Sequence, residues 1–312
     1  MITDYSQRLV VQEVSPRDGL QIEPVWVETA NKIALIDALS LAGFSRIEAG
    51  SFVSPKAIPA LRDGEAVFSG IQRQPGVIYT ALVPNLKGAQ RAVQAGADEI
   101  NMVMSASQTH NRANMRMSCE QSLAAFVDIV QSAQGTSLLL NATVATAFGC
   151  PFEGGIDEDR VLAIVETYMD LGVTGITLAD TTGMANPRQV HRIVRRVLTR
   201  VAPSALTLHF HNTRGLGLCN VLAAYEAGAR RFDASLGGLG GCPFAPGASG
   251  NICTEDLVNL CHEMGIETGI DLPLLLDQSR RLAALLGHEL PGQLVKAGRN
   301  CDLHPTPAGL TL

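Results

Sequence analysis

Leu206-Thr207-Leu208-His209-Phe210-His211 reads as a short β-strand, and the residues after it set the pattern for the whole chain. Residues 216–227 run at helical period, Gly228 comes next, and residues 231–235 read as a second strand. Glycine there suits a left-handed cap that turns a helix into the next strand. The unit repeats towards the N-terminus. Strands are expected at 9–14, 46–51, 77–84, 99–105, 137–145 and 175–179, which makes eight in all. Helical stretches lie between them at 31–42, 86–95, 119–133, 157–171 and 187–201. Gly43, Gly96 and Gly172 repeat the cap, and Asn186-Pro187 opens a helix as cap and first turn.

Eight βα units without a linker or a shift in composition predict a (β/α)8 TIM barrel, with a doubly wound open sheet as the alternative. One domain is expected over 1–312. Its barrel covers about 8–264 and a C-terminal helical extension about 265–312, with a helix at 272–286.

Composition narrows the function. Charged residues are 17% of the 312, against about 25% in an ordinary globular chain. That leanness leaves surface for a subunit interface, and a homodimer is expected. A net charge of −6 excludes a nucleic-acid binder, which needs a basic face. No apolar run reaches the ~18 residues of a membrane helix. Residues 1–10 lack the basic-then-apolar order of a secretory signal. The seven cysteines are too sparse and irregular for a disulfide scaffold, so a cytoplasmic protein with reduced thiols is expected.

Three motifs carry chemistry. Ser15-Pro16-Arg17-Asp18-Gly19-Leu20-Gln21 comes directly after strand one, at the mouth where barrels build their sites. The alternative for Arg17-Asp18 is a surface ion pair worth under ~1 kcal/mol. His209 and His211, two apart on a strand, point to one face and with a carboxylate outline a metal site. The alternative is two imidazoles packed separately. His110, His191, His262, His288 and His304 fall on helices or loops and are expected in solvent. The third motif is the loop 237–251, with six glycines in fifteen residues. Ordering so many glycines is a costly way merely to join two elements. The loop suits a lid carrying Cys242, with the Asn251 amide oxygen available at its far end to a metal.

Closure links these motifs. Only in a closed barrel do strands seven, eight and one adjoin, so that Asp18, His209, His211, Cys242 and Asn251 meet on one rim. Glu48 and Asp180 end strands two and six on that rim, where acids support ligands or touch substrate. For Asp180 the alternative is a helix N-cap.

These motifs resemble those of the 3-hydroxy-3-methylglutaryl-CoA lyase family. The resemblance rests on S-P-R-D-G-L-Q (15–21), I-E-A-G-S-F-V-S-P-K (47–56), P-N-L-K-G (84–88), G-C-P-F-E-G (149–154), the H-x-H pair and G-G-L-G-G-C-P-F-A-P-G-A-S-G-N (237–251). It runs from about residue 10 to 272. The Cys-bearing loop is its most specific element, since the carboligases of the superfamily share only the Arg-Asp and H-x-H portions. The resemblance implies a divalent cation, Mg2+ or Mn2+, on Asp18, His209, His211 and Asn251. It implies that Arg17 steadies an enolate, that Cys242 acts as acid or base, and that Glu48 and Asp180 orient the reacting groups. Arg17, Gln21, Ser51 and Arg214 are the expected contacts to an acyl-CoA substrate, which is cleaved to acetyl-CoA and acetoacetate.

The chain departs from the family pattern at H-N-T-R-G (211–215) for H-D-T-Y-G and at A-S-Q-T-H (106–110) for A-S-E-x-F. Asp271 and Leu274 stand where Asn and Lys, residues able to serve CoA, are expected. The departures bear on substrate identity, and a citramalyl-CoA-like thioester is the first alternative. An acyl-CoA carboligase comes next. A non-catalytic barrel comes last, because it would be expected to lose some of Arg17, Asp18, His209, His211, Cys242 and Asn251.

Overall fold

All eight expected strands form, and they close on themselves. The computed structural model describes residues 7–241, 250–303 and 305. Its strands are β1 (Val10–Glu13), β2 (Arg46–Ser51), β3 (Ile78–Val83), β4 (Glu99–Ser105), β5 (Leu139–Ala145), β6 (Gly175–Asp180), β7 (Leu206–Phe210) and β8 (Arg231–Ala234). Every neighbouring pair is parallel, and β1 pairs with both β2 and β8, with Val10 opposite Arg231 and Glu13 opposite Ala234. The open-sheet alternative is excluded. Helices Thr29–Leu41, Leu86–Gln94, Cys119–Ala133, Glu158–Asp170, Pro187–Val197, Gly217–Ala227 and Thr254–Glu263 connect the strands or come after them. Two further helices, Gly64–Gly70 and Gln108–Met115, have no apolar period that would announce them.

Alternation along each strand sorts the residues. Val11, Ile47, Tyr79, Ile100, Leu208 and Phe232 are buried in the hydrophobic core with residues of the outer helices. The other face fills the barrel with polar groups that bond across strands. Asn141 donates to Asn101 and Thr177, Thr143 donates to Asn101, Thr80 donates to Glu99, and Arg46 donates to Gln12. Buried polar groups persist only when partnered, and here neighbouring strands supply the partners.

The extension begins with helix Leu272–Leu286, capped by the Asp271 side chain on the Leu274 amide at 2.9 Å. The Asp271 amide bonds the Ala42 carbonyl, at the turn that feeds the N-terminal end of β2. Asp271 and Leu274 therefore stand at the end of the barrel away from the strand C-termini. After Gly287 the chain returns to the mouth. The Gly292 amide bonds the Gly237 carbonyl, and Asp256 accepts the Gln293 and Leu294 amides. Among the described residues, no helix is long and apolar enough to cross a membrane.

Candidate active site

At the end of β1 the chain turns immediately. The Asp18 and Gly19 amides both reach the Val14 carbonyl, closing a wide turn over Ser15–Gly19 in which Pro16 has no N–H to lose. The turn buries Arg17 and Asp18 against the mouth. Arg17 meets Glu48 through Nε at 2.7 Å and Nη2 at 2.6 Å, and meets Asp18 Oδ1 through Nη1 at 2.5 Å. Asn101 donates to the other Glu48 oxygen at 3.3 Å, and Gln21 donates to Asp18 Oδ1 at 2.9 Å. The Arg-Asp dipeptide is thus no surface pair.

His209 lies opposite Asp233 across β7 and β8, and its Nδ1 is 3.1 Å from Asp233 Oδ2. That contact leaves Nε2 as the free end, and it faces His211 Nε2 at 3.1 Å. Asp18 Oδ2 lies 3.9 Å from His209 Nε2. The segment after the glycine loop crosses the end of β7, where the Asn212 amide bonds Gly250 and the Ile252 amide bonds Phe210. An isolated β-bridge there sets Asn251 beside His211. Asn251 donates its amide to Asp18 Oδ2 at 2.7 Å and to the Leu239 carbonyl at 2.9 Å. Its nitrogen rather than its oxygen thus meets the carboxylate.

Charge is distributed unevenly over this cluster. Burial disfavours a charged Asp18, but Arg17 and the two imidazoles outweigh it and hold the carboxyl down at about 2. Burial together with the neighbouring His209 pulls His211 down to about 3, so that ring is neutral. Burial works against a charge on His209 too, yet the bond to Asp233 raises it above the usual range.

The donor set fits a divalent cation. Asp18, His209 and His211 each offer one ligand atom, and these atoms lie within 4.8 Å of one another. Two imidazole nitrogens 3.1 Å apart cannot both carry protons. A carboxylate with two imidazoles suits a range of divalent metals.

Glycines set the base of the loop. Gly240 (φ +98°) packs so closely that a Cβ would sit 2.5 Å from Asn251 Nδ2 and 3.0 Å from the Asp18 carbonyl. At Gly250 (φ +91°) a Cβ would meet the Gly240 carbonyl at 2.0 Å. Cys242 lies outside the described residues.

The structure gathers Arg17, Asp18, Gln21, Glu48, His209, His211 and Asn251. The other three expected residues sit on local partners at the rim. Ser51 Oγ accepts the Val53 amide. Arg214 bonds the Thr182 and Gly183 carbonyls. Asp180 accepts the Met184 and Ala185 amides with Oδ1 and so ties down the loop ahead of Pro187–Val197, a helix whose cap is Asn186 and not Asp180, while its buried Oδ2 has no partner among the described residues. Burial lifts this carboxyl to about 6.

His110 corrects an expectation, being buried rather than solvated, with Nδ1 2.6 Å from Ser105 Oγ. Gln108, which stands where the family pattern has Glu, donates to Glu120. Asp233 and Glu13 went unnoticed in the sequence. Asp233 had a signal, since it is the one acid inside the eighth strand run. Glu13 accepts the Ser15 and Leu236 amides and the Thr254 hydroxyl, joining β1 to the chain beneath the glycine loop. Complete burial pushes its carboxyl up to about 7.

A family model described as HMGL-like matches residues 8–281, most of the chain. The chain belongs to the HMGL-like family. Within it, the hydroxymethylglutaryl-CoA lyase YngG of Bacillus subtilis is 44% identical over 93% of this chain and 97% of its own length. An (R)-citramalyl-CoA lyase of Chloroflexus aurantiacus is 43% identical, over 94% of this chain and 95% of its own. A solved HMG-CoA lyase of A. baumannii, in complex with coenzyme A and 3-methylmalate, shares 69% identity and superposes with a TM-score of 0.95, covering 98% of this chain and all of that one.

Proposed function

We propose that this member of the HMGL-like family is a divalent-metal-dependent lyase that cleaves 3-hydroxy-3-methylglutaryl-CoA to acetyl-CoA and acetoacetate. The observation that carries the reading is Arg17, buried and clamped between Glu48 and Asp18 at the edge of the Asp18–His209–His211 cluster. The hydroxymethylglutaryl-CoA lyases among its relatives support it.

Asp18, His209, His211 and the Asn251 amide oxygen are the groups that would hold Mg2+ or Mn2+. A cation bound there supplies positive charge for the substrate's hydroxyl and carboxylate oxygens. Asp233 holds His209 in the tautomer that presents Nε2, and Gln21 steadies Asp18.

The reaction breaks the bond between a tertiary alcohol carbon and the carbon alpha to a thioester. The hydroxyl loses its proton, the oxygen becomes a ketone, and the bonding pair passes into the thioester as an enolate. Arg17 is permanently charged and donates to that enolate oxygen. Glu48 holds the guanidinium in place and Asp180 lines the same rim. The Cys242 thiol, mostly protonated at pH 7 at its ordinary pKa near ~8.5, delivers a proton to the enolate carbon. Ser51 and Arg214 contribute rim contacts to the acyl-CoA.

A second reading is cleavage of citramalyl-CoA, which carries the same tertiary alcohol on a shorter acid arm. The citramalyl-CoA lyase relative, at nearly the same identity, favours it. Incubation of the Mg2+-loaded protein with each thioester, with products followed by mass spectrometry, decides between them. Acetoacetate from the first supports the main reading. Pyruvate from the second alone replaces it.

A further inference from the structure

The end of the barrel opposite the mouth holds a second arrangement that the cleavage reaction does not use. Arg46 opens β2 and Arg231 opens β8, and both side chains turn into the barrel below β1. Arg46 gives Nε to Gln12 and Nη2 to Glu99. Arg231 gives Nε to Thr207 and Nη2 to the Ala205 carbonyl. Glu99 is committed to Arg46 and Thr80, and Asp233, further up β8, is committed to His209. Arg231 therefore has no carboxylate within 4 Å among the described residues, although it is only 9% exposed.

A buried guanidinium without a counter-charge is costly. Burial and the nearby Arg46 pull Arg231 down to about 10 against the more distant Glu99 and Asp233, which pull the other way. Both arginines line a cavity of about 430 Å3 at this end, with Ser45 and Ser204 at its edge. Neither Nη1 has an acceptor among the described residues.

We propose that this cavity binds a phosphate group, held by Arg231 and Arg46 with hydroxyl support from Ser45 and Ser204. Two guanidinium groups, each with an N–H donor left over, match the tetrahedral oxygens of a phosphate. The volume accommodates inorganic phosphate or a small phosphomonoester.

Calorimetric titration of the Mg2+-loaded protein with inorganic phosphate, at matched ionic strength against chloride, tests the site. Two variants separate it from the mouth. Arg231→Met removes the unpaired cation, and Ser204→Glu sets a carboxylate on an exposed edge position without touching the interior. Saturable binding is expected in the wild type, weakened at least tenfold in both variants, with thioester cleavage unchanged in Ser204→Glu. Absence of saturable binding in the wild type, or binding within threefold of it in Ser204→Glu, overturns the proposal. If Arg231→Met does not fold, the Ser204→Glu result decides alone. A parallel titration with glycerol 3-phosphate identifies the source. Tighter binding than inorganic phosphate assigns the cavity to a phosphomonoester and weaker binding to the free ion, and either supports the anion site.

Discussion

Arg17 and Glu48 form a buried pair in which Nε and Nη2 both reach Oε2, at 2.7 and 2.6 Å. The pair joins the turn after β1 to the middle of β2, and its far side rests on Asn101. Replacing Glu48 with Gln keeps the shape but removes the charge that fixes the guanidinium. A fall in kcat of ~10- to 100-fold with little change in KM is expected. Steady-state kinetics on the thioester checks it, and a change confined to KM would contradict the positioning role.

Asp233 touches the cluster through its hydrogen bond to His209. In Asp233→Asn the acceptor-only carboxylate that fixes the Nδ1 proton is replaced by an uncharged amide that can also donate to Nδ1 and favour the other tautomer. Cation affinity should drop ~10- to 100-fold while the fold persists. Titration of the apo-protein with Mn2+, read by electron paramagnetic resonance, gives the affinity directly.

Glu13 makes stability depend on pH. Its folded pKa of about 7 lies above the ordinary 4.5, so the folded state binds the proton more tightly than the unfolded chain. The contribution is fully present below pH 4.5 and is lost as pH rises through 7. A shift of this size corresponds to about 3 kcal/mol. Glu13→Gln can keep the two amide bonds on Oε1 and donate Nε2 to the Thr254 hydroxyl, reversing that bond, without the charge. Urea unfolding at pH 5 and pH 8 should therefore show a smaller difference in the variant than in the wild type.

Gly240 has no room for a side chain. A Cβ there would strike the Asn251 amide, and the backbone has a positive φ that only glycine adopts without strain. Gly240→Ala should retain the circular dichroism of the barrel and lose most of its activity. Activity near that of the wild type would mean that Asn251 has no part in the site.

Much of this was readable from the residues. Eight strand runs separated by helices and glycine caps gave the barrel, and closure predicted that Asp18 would meet His209 and His211. What escaped detection depends on partners distant in sequence. Asn101, Asn141 and Thr143 look like ordinary strand residues until the barrel sets them side by side as hydrogen-bond partners. His110 sits in a polar stretch with no apolar period, so only tertiary packing tells that it is buried. The place of Asp271 and Leu274 at the end of the barrel away from the mouth was not legible either, because a motif comparison does not report at which end a residue lies.

The most direct test of the account is kcat for Arg17→Gln with 3-hydroxy-3-methylglutaryl-CoA at saturating substrate and Mg2+. Losing the charge that faces the enolate should cost at least ~3 kcal/mol, a fall of ~100-fold or more. Cleavage by the wild type with the variant within tenfold of it would contradict the role given to Arg17.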